Sequence, residues 1–241
     1  MSEQFSRTAA LLGEEAMTRL QNARVAVFGV GGVGGYAVEA LVRSGVGTVD
    51  VFDKDDVSIS NLNRQIIALH STVGQDKVSV IAARMRDINP EVVINEHKMF
   101  YLPENADDID LTVYDFVVDA VDTVAAKIEL AVRCERLGVP LIAAMGAGNK
   151  LDPSKLLISD IYKTSVCPLA RAIRTTLRKK GVKHLTVAYS TEEPVRPLAP
   201  IDQEDPTALR RKDVPGSAAF VPSAMGLLIA SYVVRKLTIP H

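Results

Sequence analysis

The amino-acid sequence predicts a doubly wound α/β fold, mainly parallel, with antiparallel strands added after about residue 150. Three observations carry that prediction. Short apolar runs alternate with stretches of helical period through the first 150 residues, the pattern of buried parallel strands joined by right-handed helical crossovers. A glycine-rich turn lies directly between the first such run and the helix that follows it. The 241 residues are 47% apolar and 24% charged, a globular composition with enough length for one large core and no need of disulfide staples.

Residues 9–20 carry Leu11, Leu12, Ala16 and Leu20 near helical spacing and read as one amphipathic helix. Val25, Ala26, Val27 and Phe28 form the first strand. The helix at 33–44 stops at Gly45 and Gly47, and the second strand, 48–53, ends in Asp53. A helix at 77–88 ends at Asn89-Pro90, because the residue before proline is pushed out of the helical region. Strands follow at 92–95 and 115–119, then a helix at about 125–137 and a fifth strand at 139–144. Beyond Gly148 the rhythm changes: strands at 155–161 and 185–189 flank a basic helix at 168–180. Residues 191–216 are rich in proline and charge without periodicity and read as a long loop. The apolar stretch 218–234 reads as a buried C-terminal helix, short of the ~20 residues a membrane span needs, with shallow membrane contact left open.

Gly29, Gly31 and Gly34 satisfy G-x-G-x-x-G in the strand–turn–helix setting that gives the pattern meaning. The first glycine permits the turn, the second lets backbone approach a phosphate, and the third lets helix and strand pack closely. The helix start adds free N–H groups and positive potential. Asp53 lies 19 residues after Gly34, at the strand end where a ribose hydroxyl would be held. This is a Rossmann-like nucleotide site, and these features alone suit NAD as well as ATP. The polar stretch after Asp53 brings Asn61, Arg64 and Gln65 to the same crevice, with Lys77 opening the next helix. Two cations suit a triphosphate whose charge must be offset during transfer. Asp122 closes the fourth strand, where one carboxylate plus phosphate oxygens would suit Mg2+. Each also has a plain reading, as a surface ion pair, a solvated helix-start charge or a helix cap.

Gly29-x-Gly31-Gly32-x-Gly34, Asp53-x-Asp55, Asn61-x-x-Arg64-Gln65, Lys77 and Asp122, with Arg43-Ser44-Gly45-Val46-Gly47 and Asp87-Ile88-Asn89-Pro90, resemble the adenylating domain shared by ubiquitin-activating E1 enzymes and the bacterial ThiF/MoeB/HesA proteins. The resemblance implies ATP and Mg2+, with a substrate carboxylate attacking the α-phosphate to give an acyl adenylate and pyrophosphate. It implies that Gly29, Gly31, Gly32, Gly34, Asp55 and Gln65 line the nucleotide and that Asp53 holds the ribose. Arg64 and Lys77 would bind phosphates, Asn61 would help position them, and Asp122 would hold the metal. Arg7 would reach the ATP of the other subunit of a homodimer. A cysteine desulfurase or sulfur acceptor is a further partner the resemblance implies. The chain then divides into a nucleotide-binding part at about 20–150 and a substrate-binding and C-terminal part at about 151–241, within one domain, residues 1–241.

In the second half, Gly146-Ala147-Gly148-Asn149-Lys150-Leu151-Asp152-Pro153, Asp160-Ile161-Tyr162-Lys163-Thr164, Pro168-Leu169-Ala170-Arg171, Tyr189-Ser190-Thr191-Glu192 and Gly216-Ser217 resemble the tRNA threonylcarbamoyladenosine dehydratase branch of that family. The branch implies a carboxylate on the modified adenosine t6A37 of the tRNA anticodon loop. Once activated, it is closed into a ring by a nitrogen or oxygen of the same substituent, which needs no thiol nucleophile. The other readings are adenylation of the C-terminal glycine of a ubiquitin-like sulfur carrier, and a nicotinamide-binding module.

Lys+Arg 28 against Asp+Glu 29 gives a net charge of −1, so tRNA contact needs a local patch, and DNA is not an expected partner. Arg171, Arg174 and Arg178 lie at helical spacing and are followed by Lys179 and Lys180; Arg210, Arg211 and Lys212 make a second cluster. Two cysteines, Cys134 and Cys167, make neither a disulfide framework nor the paired Cys-x-x-Cys of a zinc site. Cys134 reads as packing. Cys167, before Pro168 at a helix start, reads as structural or as a thiol with a lowered pKa. The start, Met1 to Arg7, has no apolar core, so a secretory leader is not expected and the cytoplasm is the expected compartment.

Overall fold

The computed structural model describes residues 3–198 and 215–238. Its centre is a seven-stranded sheet in the order β3-β2-β1-β4-β5-β7-β6. The strands are β1 (Arg24–Phe28), β2 (Thr48–Phe52), β3 (Val93–His97), β4 (Phe116–Asp119), β5 (Leu141–Ala144), β6 (Leu156–Asp160) and β7 (Thr186–Ser190). The helices are α1 (Ser6–Leu12), α2 (Glu14–Asn22), α3 (Gly34–Arg43), α4 (Lys77–Ile88), α5 (Val124–Leu137), α6 (Pro168–Lys179) and α7 (Phe220–Thr238). Every pairing is parallel except that of β6 with β7. The strands after residue 150 thus divide. β7 extends the parallel sheet beside β5, and only β6 runs against it.

The single helix expected at residues 9–20 is two. Gly13 sits at φ +85, a left-handed conformation that ends α1 and turns the chain into α2. One face of the sheet is covered by α2, α3, α4 and α7, whose buried side chains form one core with Val25, Val27, Val49 and Val51. The other face carries α5, α6 and the loop after β3, which buries Tyr101, Leu111 and Tyr114. α7 is long and apolar enough to cross a membrane by composition, yet Val221, Met225, Ile229 and Val233 repeat every four residues and are fully buried. Gly226 lets this helix lie on α3: a Cβ there would stand 2.3 Å from the Val33 carbonyl oxygen. It is a core helix.

The register sets one row across the carboxyl edge: His97, Phe52, Phe28, Asp119 and Ala143. Phe28 and Phe52 stack at 4.2 Å, and Phe52 and His97 at 4.1 Å. Beneath them Asp50 is fully buried and accepts two hydrogen bonds from Arg24 at 2.9 Å, one from Asn95 at 3.0 Å and one from Tyr114 at 3.3 Å. Burial pushes the Asp50 carboxyl up, but Arg24, Asn95 and His97 outweigh it and hold it below its ordinary value. A depressed carboxylate stabilises the fold above its unfolded pKa, and that contribution is lost as pH falls through the folded one. Asp50→Asn keeps the shape and removes the charge, so it is expected to cost about 1.5–3 kcal/mol at pH 7. The difference from wild type should begin to shrink as pH falls below the unfolded carboxylate's ~3.9, and vanish only below the lower native value, where the native carboxyl also takes up its proton. Urea melts at pH 7 and through that acid range check this.

Candidate nucleotide site

The strand order reverses between β1 and β4, with β2 and β3 on one side and β5 on the other. Ligands of open α/β sheets bind outside the carboxyl ends at such a point. A cleft of about 620 Å³ opens there. Its walls include Gly29, Gly31, Gly32, Asp53, Asp55, Asn61, Arg64, Gln65, Lys77 and Asp122, so the structure brings ten of the expected residues together.

The glycine turn is held by tight backbone contacts. Gly29 has φ +87, and a Cβ on it would lie 2.7 Å from the Ala120 carbonyl oxygen. Gly34 does not line the cleft; it opens α3 against Gly29, where a Cβ would fall 1.8 Å from the Gly29 carbonyl oxygen. Gly31 has open space beside it, the nearest atom to a Cβ being the Gln65 Nε2 at 3.7 Å. The turn is fastened to the second strand by Asp53, whose Oδ2 accepts from Val30 N at 2.9 Å and whose Oδ1 accepts from Asp55 N at 3.0 Å. One carboxylate thereby sets the turn and still has lone pairs facing the cleft.

Lys77 is buried at the start of α4, its Nζ 3.1 Å from Asp55 Oδ2 and 4.0 Å from Asp53 Oδ1. Arg64 donates only to Ser60 O and Asn63 Oδ1, both at 2.9 Å; no carboxylate among the described residues pairs with it. Asn61 closes a one-turn 3-10 helix, its Oδ1 accepting from Ser58 N at 3.1 Å, so its amide NH2 is the part left for a ligand. Gln65 is buried, and its Oε1 has no hydrogen-bond partner among the described residues. Such an atom costs stability until something donates to it. Asp122 is exposed at the opposite wall, and its side chain accepts only from Thr123 Oγ1 at 3.3 Å. Two cations, one of them without a counter-charge among the described residues, thus share the cleft with Asp122, a carboxylate that neither of them pairs with.

The sequence pattern of the ThiF family matches residues 5–240 of this chain. The chain belongs to the ThiF family. It is 46% identical over 242 residues to the tRNA threonylcarbamoyladenosine dehydratase of Bacillus subtilis (strain 168), covering 98% of this chain and 95% of that protein. The crystal structure of E. coli tRNA N6-threonylcarbamoyladenosine dehydratase in complex with AMP matches it with a TM-score of 0.88 at 35% identity, over 98% of this chain and 94% of that one. The same E. coli enzyme in complex with ATP matches with a TM-score of 0.86 at 34% identity, over 98% and 93%.

Within this ThiF chain, other expected residues stand apart from the cleft. Arg7 is exposed on α1 and does not line the cleft of its own chain. Arg174 is half-buried, with Nη1 donating to Thr164 Oγ1 at 2.6 Å, Thr164 O at 3.0 Å and Ile161 O at 3.3 Å. Through that one nitrogen it holds the turn before α6, so it is less free for a phosphate than its exposed neighbours. Arg171, Arg178, Lys179 and Lys180 are exposed, and Arg178 lies over the Tyr162 ring at 5.4 Å. α6 begins behind Gly146, where a Cβ would lie 3.8 Å from Cys167 Sγ, and none of its residues lines the cleft. The cluster Arg210, Arg211 and Lys212 lies outside the described residues. Cys167 and Cys134 are both buried, and burial pushes the Cys134 thiol up to about 12.

Sequence reasoning missed several parts of this site. Phe28, Phe52, Met99, Phe100 and Tyr101 give the cleft an apolar floor, and only the register reveals that the strand-end aromatics share it. Asn149, Lys150 and Glu192, which carried the branch resemblance, form a fastening. Buried Lys150 donates through Nζ to the Glu192 carbonyl, and the Glu192 carboxylate accepts from Leu151 N and Asp152 N at 3.0 Å. Those two backbone donors, Asp152 first, hold its carboxyl below the usual range. Asn149, at φ +57, exchanges hydrogen bonds with Gly216 at 2.7 Å, and Gly148, Pro215 and Ser217 complete the cleft wall.

Proposed function

We propose that this chain uses ATP to activate the free carboxylate of N6-threonylcarbamoyladenosine at position 37 of tRNA and closes it to the cyclic, dehydrated form. The observation that carries this reading is the 46% identity to a tRNA threonylcarbamoyladenosine dehydratase, which spans 98% of the chain, substrate half included. The cleft supports the nucleotide. The glycine turn and the start of α3 present N–H groups to phosphates, the Asp53 carboxylate can accept from ribose, and the apolar floor suits an adenine. Gln65 Oε1 is an acceptor waiting for a donor.

Arg64 and Lys77 then draw charge from the phosphates as the substrate carboxylate oxygen attacks the α-phosphorus and pyrophosphate leaves. The product is a mixed anhydride. A nitrogen or oxygen of the same threonylcarbamoyl group attacks its carbonyl carbon, AMP departs with the former carboxylate oxygen, and the proton goes to solvent. One water is lost from the nucleoside and appears in the AMP and pyrophosphate. Ring closure is intramolecular, so positioning stands in for a second nucleophile. Buried Cys134 and Cys167 fit that economy.

Asp122 fits a magnesium ion: its carboxylate lies at the cleft wall with no cation paired to it among the described residues. Mg2+ keeps most of its shell as water and phosphate oxygen, so one protein carboxylate suffices. Bound there, it would offset phosphate charge. The compartment of this reading is the cytoplasm, and its tRNA contacts are the exposed Arg171, Arg178, Lys179 and Lys180. The test is mass spectrometry of nucleosides after incubation of the protein with t6A-containing tRNA. Conversion to a product lighter by one water is expected with ATP, absent with NAD, and retained in Cys167→Ala. No conversion with ATP, or collapse in Cys167→Ala, would overturn the reading.

The reading also includes a homodimer in which Arg7 completes the partner's cleft. Arg7 does not line its own cleft, and Leu11 on the same helix is 86% exposed. Arg7→Ala and Lys77→Ala should each be poorly active alone. Mixed in equal amounts and allowed to exchange subunits, they should recover about a quarter of wild-type activity, because half the dimers then hold one intact site. Absence of recovery in a mixture shown to exchange, or a monomer by light scattering, would refute it.

A further inference from the structure

Lys127 is 2% exposed, yet it carries an ammonium into the packing between α5 and the sheet. Its Nζ donates to Asp119 Oδ1 at 2.9 Å and to the Ala144 carbonyl at 2.8 Å. Asp119 ends β4, is fully buried, and also accepts from Val121 N at 3.2 Å; its Oδ2 has no partner among the described residues. Ala144 ends β5. One side chain therefore ties together the last residues of two neighbouring strands. Beyond those ends both strands lead into the cleft wall, through Ala120, Val121, Asp122 and Thr123 after β4 and through Ala147 and Gly148 after β5. The first wall also packs on the glycine turn: Ala120 N donates to Phe28 O at 2.8 Å, and a Cβ on Gly29 would lie 2.7 Å from the Ala120 carbonyl oxygen.

We infer that Lys127 is a positioning residue for the reaction: through Asp119 and Ala144 it fixes the turn bearing Asp122 against the glycine turn. Stability alone is a weak reason for such a pair, since two apolar side chains of similar volume commonly hold a core as well or better. An apolar pair has no direction, however. The ammonium has three donors and spends two on defined oxygens, and Asp119 spends one oxygen on both the ammonium and the backbone two residues on. That geometry fixes where the chain goes next. Nothing in the mechanism touches Lys127, and it is too buried to meet a ligand. The inference rests on the proposed role of Asp122, and the experiment separates the two.

Lys127→Met, Asp119→Asn and Asp122→Ala are compared with wild type by thermal melting, by calorimetric ATP affinity with and without Mg2+, and by kcat and KM for t6A-containing tRNA. Wild type should bind ATP more tightly with Mg2+, and Asp122→Ala should lose that gain. Lys127→Met should be folded, lose most of the Mg2+-dependent gain, and drop in kcat by about tenfold to a hundredfold, the range seen when the groups that orient a metal ligand are removed. Its KM for tRNA should move little. If Lys127→Met does not fold, Asp119→Asn decides by the same readouts, because it keeps the volume and the bond from Lys127 to Ala144. A lower melting temperature with the Mg2+ gain and kcat intact would make the pair merely structural and overturn the inference. A wild-type response in Asp122→Ala would instead overturn the metal reading, and the inference with it.

Discussion

Lys77→Ala is expected to lower kcat/KM for the dehydration by about 10²–10³, or 2.7–4 kcal/mol, the usual cost of losing one placed group that stabilises developing charge. Arg64→Ala and Asp122→Ala should fall in the same range. Lys77 should be the most sensitive of the three for a reason visible in the fold. It is buried between Asp53 and Asp55, its Nζ 4.0 and 3.1 Å from their oxygens. Removing it leaves two carboxylates facing a triphosphate, so repulsion is added to lost attraction. Arg64 is held by Ser60 and Asn63 alone, and its loss exposes no opposing charge. The double variant Lys77→Met with Asp55→Asn should therefore recover part of the ATP affinity lost in Lys77→Met, while kcat stays low. Calorimetry with ATP and single-turnover conversion of t6A tRNA separate the effects. Near-wild-type turnover in all three single variants would remove these residues from the mechanism.

Much of the fold and of the cleft is legible in the residues, and the rest is hidden for physical reasons. The helix at 77–88 reads with its final bounds because Asn89-Pro90 ends it sharply. The split at Gly13 does not, because Leu11, Leu12, Ala16 and Leu20 keep the same apolar spacing on both sides of the break. Asp53, Arg64, Lys77 and Asp122 are legible because chain order on a doubly wound sheet already places strand ends and helix starts on one edge. Lys127 is not: a lysine within an amphipathic helix looks solvated until the register sets Asp119 beneath it. Arg174 errs the opposite way. Its spacing with Arg171 and Arg178 suggests one basic stripe, but the turn at 161–164 folds under the helix and engages one of its terminal nitrogens. Helical period reports a face and says nothing of what lies beside it.

The glycine turn offers a division of labour that two single-methyl substitutions can test. Gly34→Ala, at the start of α3 just behind the cleft, is expected to be the most destructive change in the glycine motif. Its Cβ would fall 1.8 Å from the Gly29 carbonyl oxygen and 3.2 Å from Ala120 Cβ. Both obstacles belong to the backbone or its first carbon, so no rotamer relieves them. α3 would have to lift off β1, opening the packing of Val38, Leu41 and Val42, all fully buried. A loss of at least ~3 kcal/mol is expected, beyond ordinary overpacking, with a lower melting temperature even in the absence of nucleotide. Gly31→Ala presents the opposite case. Its φ is not left-handed, and the nearest atom to a Cβ is the far end of Gln65 at 3.7 Å, an ordinary contact. That variant should melt within ~1 kcal/mol of wild type. If Gly31 is where backbone meets phosphate, the added methyl occupies the approach, and ATP affinity should fall about tenfold or more on a folded protein. The two glycines, neighbours in one turn, would then fail by separable measurements: Gly34→Ala in the melt without ligand, Gly31→Ala only in the titration. A Gly31→Ala protein that binds ATP as wild type does would mean that the phosphates lie against Gly32 and the first turn of α3 instead.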